Sequence, residues 1–490
     1  MLRTIDDLLD GITMYRLVLY GLAALAAIGI VLGFIGQLGL PAGAMIISLS
    51  LLLLVCYTGN RFLSWAWGVP SNSESSLITA LILFCILPPA TTLPRAMGIA
   101  AAGIIAVASK YLLTWHAKHI FNPAAIAVLV VGLIGVVPVT WWVGSRAMLP
   151  FTLLLGLLVT WTVRRSHMLF SFVIAALAVL LFIGMRHGQE AHTIIAGAFT
   201  SWPLIFFGTI MLTEPATMPP RRRQRILYGA LVGILFASQL HIGIVSATPQ
   251  AALIIGNIYA FAVGIRRNVR MTFAGKRQLT PTTYDFSFTP DHRFSFLPGQ
   301  YMEWTIPHGP ADGRGNRRTF TIASSPTEPA VHIGVKFYVP ASSFKQALLA
   351  MQPGDRLTAG QLAGDFVLPR DPQQKLVCIA GGVGITPFCS MVAYLAATGQ
   401  TRDMVLLYFV KRPREVAYRD ELRQAAKHGV RTKILQGALQ PDAIAQAASD
   451  YRERLFYISG PPGMVRSHRA VLRSMGVPAN RIVSDYFSGY

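Results

Sequence analysis

The chain has 490 residues, of which 53% are hydrophobic and only 13% are charged, and its formal net charge is +21. This composition is far from that of an average soluble domain and indicates a membrane protein. Only six of the 22 acidic residues lie in the first 270 positions, so the sequence predicts an apolar half followed by an ordinary globular half.

The cysteines and the N-terminal segment exclude several classes of site. Cys56, Cys85, Cys378 and Cys389 show no CxxC or other ligand spacing. The sequence therefore predicts no disulfide framework and no iron–sulfur or zinc site, and the four side chains are predicted to serve packing. The acidic start MLRTIDDLLDGITMYR precedes an apolar run too long for a secretory signal, which predicts a first membrane span and no cleaved signal.

About ten apolar runs follow, each near the 20 residues that a helix needs to cross a hydrocarbon core of about 30 Å. They lie near residues 16–37, 42–58, 76–92, 96–114, 120–139, 148–163, 168–185, 196–212, 226–244 and 249–265. Ten spans place both termini on one side, and most Arg and Lys residues of this half collect in the loops of that side. The positive-inside rule then predicts cytoplasmic termini. Since topology explains the charge, no nucleic-acid binding is predicted.

Two loops of the apolar half share a sequence pattern. PATTLPR at 89–95 and PATMPPR at 215–221 match at Pro, Ala, Thr, Pro and Arg with identical spacing, and each leads into a Gly/Ala-rich helix. Five predicted spans separate the two loops, so they face opposite sides of the membrane. This pattern predicts an inverted-topology repeat with a site near the bilayer midplane between the halves.

Three predicted spans begin with polar or helix-breaking residues: SNSESSLITA (71–80), HIFNPAA (119–125) and MLTEPAT (211–217). A broken helix in lipid needs protein, water or a ligand to satisfy its backbone, and the N-terminus of a half-helix suits an anionic or polar cofactor. The candidate cofactor-binding residues of this half are Ser76, Asn122, Glu214 and Thr217. A role as interfacial caps is the alternative for Glu74 and Glu214.

The histidines of the apolar half argue against a bis-haem core. They are His116, His119, His167, His187, His192 and His241, and most sit at loop edges. Two haems would need pairs of histidines on facing helices, which this spacing does not supply. A single histidine as a ligand stays open.

The apolar half resembles the NqrB/RnfD family, the flavin-carrying membrane subunits of ion-translocating NADH:quinone and NAD:ferredoxin oxidoreductases. The resemblance rests on SSLITALILFCILPPA, KHIFNPAAIAVLVVG and FFGTIMLTEPATMPPRRRQRILYGALVGIL, and it covers residues 16–265. It implies ten helices in two inverted repeats and one or two flavins. The family's Ser-Gly-Ala-Thr motif for covalent FMN is absent, so a second flavin, FMN or riboflavin, is expected to be held noncovalently.

The globular half changes its pattern once. Residues up to 370 contain short alternating strands broken by Pro and Gly, which predict a small antiparallel barrel. Residues 371–490 alternate strand, glycine turn and helix, which predicts a parallel α/β domain. The predicted fold class is therefore a membrane all-α domain of about ten helices over 1–265, a β-barrel domain over 266–370 and an α/β domain over 371–490.

One strand of the predicted barrel carries a flavin-binding pattern. Side chains alternate along a strand, so Arg318 and Phe320 share a face. A flavin dinucleotide needs a cation on its pyrophosphate, an aromatic ring against the isoalloxazine and a hydroxyl near its N5 edge. Arg318, Phe320 and Thr321 supply these groups in order.

Two glycine turns follow in the α/β part. KLVCIAGGVGITPFCSMVAYL (375–395) is an apolar strand, a turn and the start of a helix, and its candidate residues are Gly381, Gly382, Gly384, Thr386 and Pro387. Glycines let the backbone approach a dinucleotide pyrophosphate, and the helix N-terminus attracts it. YISGPPGMV (457–465) is a second turn of this kind, placed to border the nicotinamide through Gly460, Pro461 and Met464.

These motifs together resemble the ferredoxin–NADP reductase-like superfamily over residues 271–490. The resemblance implies that Arg318, Phe320 and Thr321 bind FAD, with Ser342 and Ser343 near its phosphates. It also implies NAD(P)H contacts at the two glycine turns, and a flavin face covered by Phe487 or Tyr490. Lys411 and Arg412 are placed to meet a 2′-phosphate, but AYRDEL is similar to NADH-using relatives, so NADH is favoured.

The sequence thus predicts a single-chain electron-transfer flavoprotein of the cytoplasmic (inner) membrane. NAD(P)H reduces FAD, and electrons pass through a membrane flavin to a quinone or an extracytoplasmic acceptor. The cofactors carry the redox chemistry, so no side-chain general base is required. Two alternatives stay open: a haem-containing ferric or oxygen reductase of the NADPH-oxidase type, and an NADH-regulated ion transporter.

Overall fold

The computed structural model describes residues 13–69, 73–115, 118–163, 165–238, 241–242, 245–246, 248–264, 268–309, 312 and 315–485. The chain divides into two compact units, Met1–Arg267 and Asn268–Tyr490. The first unit is helical, and the second contains two β-sheets flanked by helices.

Eleven helices and two short hairpins make up the described part of the first unit. The helices are α1 (Met14–Phe34), α2 (Ala42–Ala66), α3 (Ser73–Ile86), α4 (Leu93–Leu112), α5 (Pro123–Leu133), α6 (Leu149–Val163), α7 (Ser166–Arg186), α8 (Ala191–Thr200), α9 (Leu204–Phe206), α10 (Arg222–Ala237) and α11 (Pro249–Val263). The hairpins pair β1 (Thr114–Trp115) with β2 (Lys118–His119), and β3 (His241–Ile242) with β4 (Val245–Ser246).

Each of the ten predicted apolar runs overlaps one of these helices, but the helices differ in length. Within the described residues, α1, α2, α4 and α7 are long and apolar enough to cross a membrane. A fifth span results if α8 and the segment Leu204–Met211, which meet at 63°, are counted as one. A helix such as α3, with 14 residues, is only about 21 Å long and does not cross a core of about 30 Å. Length and composition therefore give four or five spans where the sequence predicted ten.

The short helices begin or end at the polar and proline-containing segments. α3 starts at Ser73 with Glu74 in its first turn, and α5 starts at Pro123. After α9 the chain forms a π-helical turn, Phe207–Met211, and then a 3₁₀ turn, Pro215–Thr217. The chain thus breaks in all three places where the sequence predicted a break, because proline and the capping residues end the regular helix there.

The order of elements repeats within the first unit. The set α2, α3, α4, hairpin β1–β2 and α5 is matched by α7, the bent pair α8–α9, α10, hairpin β3–β4 and α11. Both α5 and α11 begin with proline after a side-chain cap: Asn122 Oδ1 accepts from Ala125 N at 3.0 Å, and Thr248 Oγ1 accepts from Ala251 N at 3.3 Å. PATTLPR leads into α4 and PATMPPR into α10. The two similar loops therefore occupy equivalent places in a longer repeat.

An antiparallel six-stranded sheet opens the second unit, in the order β8-β7-β10-β5-β6-β9. Its strands are β5 (Val269–Thr280), β6 (Thr283–Pro290), β7 (Tyr301–Thr305), β8 (Arg317–Thr321), β9 (Val331–Lys336) and β10 (Arg356–Ala363), with α12 (Ser343–Ala350) between β9 and β10. The backbone hydrogen bond from Ala323 N to His332 O (2.8 Å) joins the segment after β8 to β9. The two edge strands thus approach each other, as in the predicted barrel.

A parallel five-stranded sheet completes the second unit, in the order β13-β12-β11-β14-β15. Its strands are β11 (Leu376–Gly381), β12 (Met404–Phe409), β13 (Val430–Leu435), β14 (Leu455–Ser459) and β15 (Ile482–Asp485), and its helices are α13 (Thr386–Thr398), α14 (Arg419–Gln424), α15 (Pro441–Ala447) and α16 (Pro462–Ser474). Every residue of β11 and β12 is buried. This explains their continuous apolar sequences, which are typical of strands covered on both faces.

Cysteines contribute to the cores of both units. Cys56 and Cys85 lie in the core of the helical unit, and Cys378 and Cys389 lie in the core beside the parallel sheet. All four are buried free thiols, as the sequence predicted. Burial raises the pKa of Cys378 and Cys389 above its ordinary value, so these thiols stay protonated.

A buried arginine joins strands at the amino end of the parallel sheet. Arg454 is 2% exposed; its Nη2 lies 2.6 Å from Asp403 Oδ2 and its Nε 2.6 Å from Asp450 Oδ1. Its Nη1 also donates to Leu376 O at 3.3 Å. The hydrogen bonds from Arg454 hold the pKa of both carboxyl groups below the ordinary value of 3.8.

Replacing this arginine is expected to destabilise the second unit. Arg454→Leu removes the buried donor that two carboxylates and a carbonyl share, so the free energy of unfolding should fall by roughly 2–3 kcal/mol. Because the folded pKa values are depressed, this stabilisation is present above about pH 4 and is lost as the pH falls further. Thermal unfolding of the variant at pH 7 and pH 3 measures both effects. An equal loss for exposed Arg473→Leu, or no loss for Arg454→Leu, would contradict the assignment.

Candidate functional site

The carboxyl ends of β11 and β14 meet where the strand order of the parallel sheet reverses. Ligands of open parallel sheets bind in the crevice that forms at such a switch point. β11 runs into the 3₁₀ turn Gly382–Ile385, and β14 ends at Ser459 before Gly460. The two glycine turns predicted from the sequence therefore lie side by side at one edge of the sheet.

The two turns approach each other backbone to backbone. A Cβ atom at Gly384 would lie 2.5 Å from Ser459 O and 2.6 Å from Gly460 Cα, so this position has room only for glycine. Gly382 has φ of +53°, in the left-handed region that glycine enters without steric cost. The spacing of the glycines thus follows from the shape of the turn.

The helix after the first turn is oriented for an anion. α13 begins at Thr386, with Pro387 in its first turn, and runs for 13 residues. Its free N–H groups and the positive end of its dipole face the crevice edge of the sheet. Met464, in the first turn of α16, fills the space beside Gly381 from the other side. All predicted residues of the two turns are thus brought together at the switch point.

The strand that was predicted to bind a flavin, β8, has the predicted alternation. In β8 the buried residues are Arg318, Phe320 and Thr321, at 6%, 6% and 5% exposure, while Thr319 is half-buried. β8 pairs with β7 so that Phe320 stands opposite Met302. Arg318 and Phe320 therefore share one face of the strand, as the period of two requires.

Both side chains of this face meet α12. The Arg318 guanidinium carbon lies 5.3 Å from the centroid of the Phe344 ring, and the Phe320 and Phe344 rings are 5.9 Å apart. Ser342 caps α12, its Oγ accepting from Lys345 N at 3.4 Å. The sequence analysis found the two serines before this helix but missed Phe344. In the sequence, the only indication of Phe344 was its position directly after these two serines.

The N-terminus of α12 and Arg318 already hold an anionic group. Ser343 N donates to Asp312 Oδ2 at 2.8 Å, and Arg318 Nη2 lies 3.9 Å from Asp312 Oδ1. Ser343 Oγ accepts from Asp312 N at 2.9 Å. A guanidinium and a helix N-terminus that meet at a carboxylate form a donor set suited to a phosphate. These residues fit the pyrophosphate of a flavin dinucleotide.

The remaining residues predicted for this site are Arg412, Phe487 and Tyr490. Arg412 follows β12 at the carboxyl edge of the parallel sheet and is exposed. Phe487 and Tyr490, predicted to cover the flavin, lie outside the described residues. Asp485 ends β15 opposite Ser459, and burial raises the pKa of its carboxyl group to about 7. Asp485 was missed from the sequence, because a single carboxylate before an aromatic C-terminus carries no specific pattern.

The first unit contains a second candidate site, a partly open cleft between helices. Most of its wall is apolar, but polar side chains meet where helices begin or break. These polar lining residues are Ser75, Thr79, Asn122, Thr213 and Glu214. The start of α5 lies at this cleft, since Asn122, Pro123 and Ala124 all line it.

A hydrogen-bonded network centres on Glu214. Its Oε2 accepts from Asn122 Nδ2 at 2.8 Å and from Thr217 Oγ1 at 3.1 Å. Asn257 extends the network: its Oδ1 accepts from Asn122 N at 2.9 Å, and its Nδ2 donates to Tyr228 Oη at 3.2 Å. Asn122 and Glu214 are 92 residues apart in sequence. The structure thus unites three of the four residues predicted for this half.

The fourth predicted residue lies beside the cleft and not on it. Ser76 is fully buried, and its Oγ donates to Ser73 O at 2.8 Å within α3. Its neighbour Ser75 lines the cleft, and Ser75 accepts from Lys110 Nζ at 2.9 Å. Glu74 is paired with Arg16 at 2.9 Å and is about one-third exposed. The two glutamates that the sequence treated alike therefore differ, Glu74 forming an ion pair and Glu214 a buried network.

The described residues contain no group of three or more His, Cys, Asp or Glu side chains that could hold a metal ion. In the helical unit, His187 is the C-cap of α7, while His119 and His241 belong to the short hairpins. His116 lies outside the described residues.

In fold and in the arrangement of its turns, the second unit is similar to the oxidoreductase modules of the ferredoxin–NADP reductase-like type, a family that binds FAD and NAD(P)H. Its residues 378–470 match the family model described as Oxidoreductase NAD-binding domain. This match lies within the parallel sheet and its helices. The resemblance of the first unit to the NqrB/RnfD family stays a prediction.

Two curated relatives match less than half of the chain. The reductase subunit of stachydrine N-demethylase from Rhizobium meliloti is 28% identical over 222 residues, which is 42% of this chain and 62% of that protein. An NADPH oxidoreductase of Mycobacterium tuberculosis is 29% identical, over 43% of this chain and 58% of that protein. The chain therefore spans about 60% of the length of these relatives.

One solved structure with a similar fold is the cytochrome P450 reductase GcoB of Amycolatopsis. It has a TM-score of 0.40 and 21% identity, and the match covers 45% of this chain and 70% of GcoB.

Proposed function

We propose that the chain is a membrane-bound NAD(P)H oxidoreductase that moves electrons from the cytoplasm into the membrane. The second unit oxidises NAD(P)H, with NADH as the favoured donor, through FAD. Electrons then pass to a second, noncovalently held flavin in the first unit, and from there to a quinone or an extracytoplasmic acceptor. Bound flavins supply the chemistry that turns a hydride donor into a source of single electrons.

The observation that carries the proposal is the arrangement of the second unit. Two glycine turns meet at the switch point of a parallel sheet, and a buried Arg318 beside the N-terminus of α12 forms an anion site in the adjoining antiparallel sheet. A dinucleotide and a flavin dinucleotide need these two kinds of site in one protein. In this proposal Phe487 or Tyr490 covers the flavin ring.

The membrane location is supported by the first unit and its charges. Four helices are long and apolar enough to cross a bilayer, and the Arg and Lys residues are concentrated in alternate loops. We place both termini and the second unit in the cytoplasm by the positive-inside rule. The shorter helices, including α3 and α5, would complete ten membrane segments in two inverted repeats. Half-helices of this kind are tolerated in a bilayer where protein or ligand covers their ends.

The cleft of the first unit is the proposed place of the second flavin. Asn122, Glu214 and Thr217 would meet its polar edge, with Ser75 beside them and Ser76 behind. Val18, Ile82 and other apolar residues line the rest of the cleft and suit a flat ring system. Loss of the Glu214 network should therefore empty this site without touching the FAD site.

Glu214→Ala is expected to lower the content of the second flavin at least tenfold, since leaving buried hydrogen-bond partners unsatisfied costs roughly 1–3 kcal/mol. FAD content and NAD(P)H-dependent reduction of ferricyanide by the detergent-solubilised chain should stay unchanged. Reduction of an added quinone should fall with the second flavin. Glu190→Ala, at a carboxylate that is 76% exposed in the same unit, is the matched control and should behave as the wild type.

Three outcomes would contradict the proposal. Two are a full second-flavin content in Glu214→Ala and an equal loss in Glu190→Ala. The third is a reducible haem absorption band in the purified wild type, which would replace the flavin relay by a haem relay.

The wild type in proteoliposomes should also deliver electrons to the membrane. NADH-independent ion flux without such delivery would instead identify a transporter.

A further inference from the structure

The two sheets of the second unit are joined by a buried polar contact that the cofactor motifs do not include. Asp285 on β6 and Tyr418, which precedes α14, are each 5% exposed. Tyr418 Oη donates to Asp285 Oδ1 at 2.9 Å, and His332 Nδ1 lies 2.9 Å from Asp285 Oδ2. Since both carboxylate oxygens have partners, the contact fixes the parallel half against the antiparallel sheet at a defined point.

The geometry around Tyr418 leaves it little freedom. Its φ of +55° lies in the left-handed region, which is sterically unfavourable for a non-glycine residue and is kept only where the surroundings require it. Its hydroxyl presses on β9 at Gly334, where an added Cβ would lie 2.7 Å from Tyr418 Oη and 2.6 Å from Thr386 Cγ2. Because Gly334 has no side chain, both the Tyr418 hydroxyl and Thr386, the first residue of α13, can pack against it.

A second tyrosine connects this contact to the dinucleotide turn. Ala417, the residue before Tyr418, donates through its N–H to Tyr408 Oη at 3.3 Å, and Tyr408 Oη donates to Gly382 O at 3.0 Å. A continuous path therefore runs from Asp285 in the antiparallel sheet through Tyr418 and Tyr408 to the glycine turn. Burial and the Asp285 carboxylate keep the pKa of Tyr418 far above its ordinary value, so its hydroxyl remains a donor.

We propose that Tyr418 is a positioning residue for hydride transfer, which sets the distance between the glycine turn and the FAD-binding sheet. The inference rests on the proposed oxidation of NAD(P)H by bound FAD. In that step a hydride, carrying two electrons, leaves NAD(P)H to form NAD(P)⁺ and is taken up by the flavin. The rate of such a step is sensitive to distance, and a displacement of about 1 Å costs on the order of a hundredfold.

The test is Tyr418→Phe in the full chain, which removes one hydroxyl and keeps the ring. Anaerobic stopped-flow measurement of flavin bleaching at several NAD(P)H concentrations should show a limiting rate reduced roughly tenfold or more, with the half-saturating concentration unchanged. Hydrogen exchange without added nucleotide should accelerate at Gly382–Ile385. FAD content and melting temperature should stay near those of the wild type.

Two further variants separate positioning from general stability. Asp285→Ala, which removes the acceptor, should reproduce the rate loss, and the double variant should lose no more than either single one, because both remove the same bond. Arg277→Gln breaks an exposed ion pair between the same halves, Arg277 Nη2 to Glu421 Oε1 at 2.6 Å, and should leave the rate unchanged.

The positioning role of Tyr418 and the proposed function are tested by different results. An unchanged limiting rate in Tyr418→Phe, or a loss of FAD and stability in place of a rate loss, would overturn the positioning role while leaving the proposed function intact. No flavin bleaching by NAD(P)H in the wild type would overturn the proposed function itself.

Discussion

Arg318→Ala is expected to yield a chain without FAD and without NAD(P)H oxidation. Arg318 is 6% exposed, and together with the N-terminus of α12 it holds the carboxylate of Asp312 in the place suited to a phosphate. Removing a buried cation from a pyrophosphate contact should weaken FAD binding roughly a hundredfold or more. Flavin absorbance after gel filtration, followed by titration with added FAD, measures this loss directly.

The preceding residue provides the matched control. Arg317 belongs to the same strand but is only half-buried, and its Nη1 lies 3.5 Å from Glu303 Oε1. Arg317→Ala should retain FAD and most of the activity. Arg318→Lys should be intermediate, since an ammonium keeps the charge but lacks the planar fork of a guanidinium. Normal FAD content in Arg318→Ala would show that the anion site has been assigned to the wrong face of β8.

The second large effect is expected at the glycine turn. In Gly384→Ala the new Cβ would lie 2.5 Å from Ser459 O and 2.6 Å from Gly460 Cα. Backbone atoms cannot rotate away as a flexible side chain can, so the two turns must separate. We expect kcat/KM for NAD(P)H to fall about a hundredfold, while FAD remains bound to the other sheet.

Gly463 is the control for this substitution. It lies in the first turn of α16, close to the same turns, but no atom stands within 4 Å of an added Cβ. Gly463→Ala should therefore leave activity unchanged and raise stability by about 0.4–1 kcal/mol. If Gly384→Ala and Gly463→Ala have the same kcat/KM, close packing between the two turns is not the reason for glycine at position 384.

Local sequence patterns predicted the strands and turns of the second unit well because these features depend on local geometry. Alternation along a strand placed Arg318 and Phe320 on one face, and the buried residues of β8 confirm it. The run of glycines before Thr386 predicted a strand, a tight turn and a helix, and all three are present. Such features are set by neighbours within a few residues, so a single sequence carries them.

Contacts between residues that are far apart in the sequence could not be predicted from local patterns. Tyr418 and Asp285 are 133 residues apart, and neither stands in a motif that names the other. In the helical unit, each apolar run predicted the place of a helical segment but not its length, because proline and capping residues shorten several of the helices. The sequence also did not show which residues of α3 line the cleft. Ser75 lines it, whereas the predicted residue, Ser76, does not.

The central claim, that electrons from NAD(P)H enter the membrane through a second flavin, is tested most directly by counting flavins. The purified full chain is denatured and its released flavins are identified and quantified, while a parallel sample is reduced anaerobically with NAD(P)H. We predict two noncovalent flavins per chain, FAD together with FMN or riboflavin, both bleached by NAD(P)H. FAD alone, or a second flavin that NAD(P)H leaves oxidised, would contradict the account.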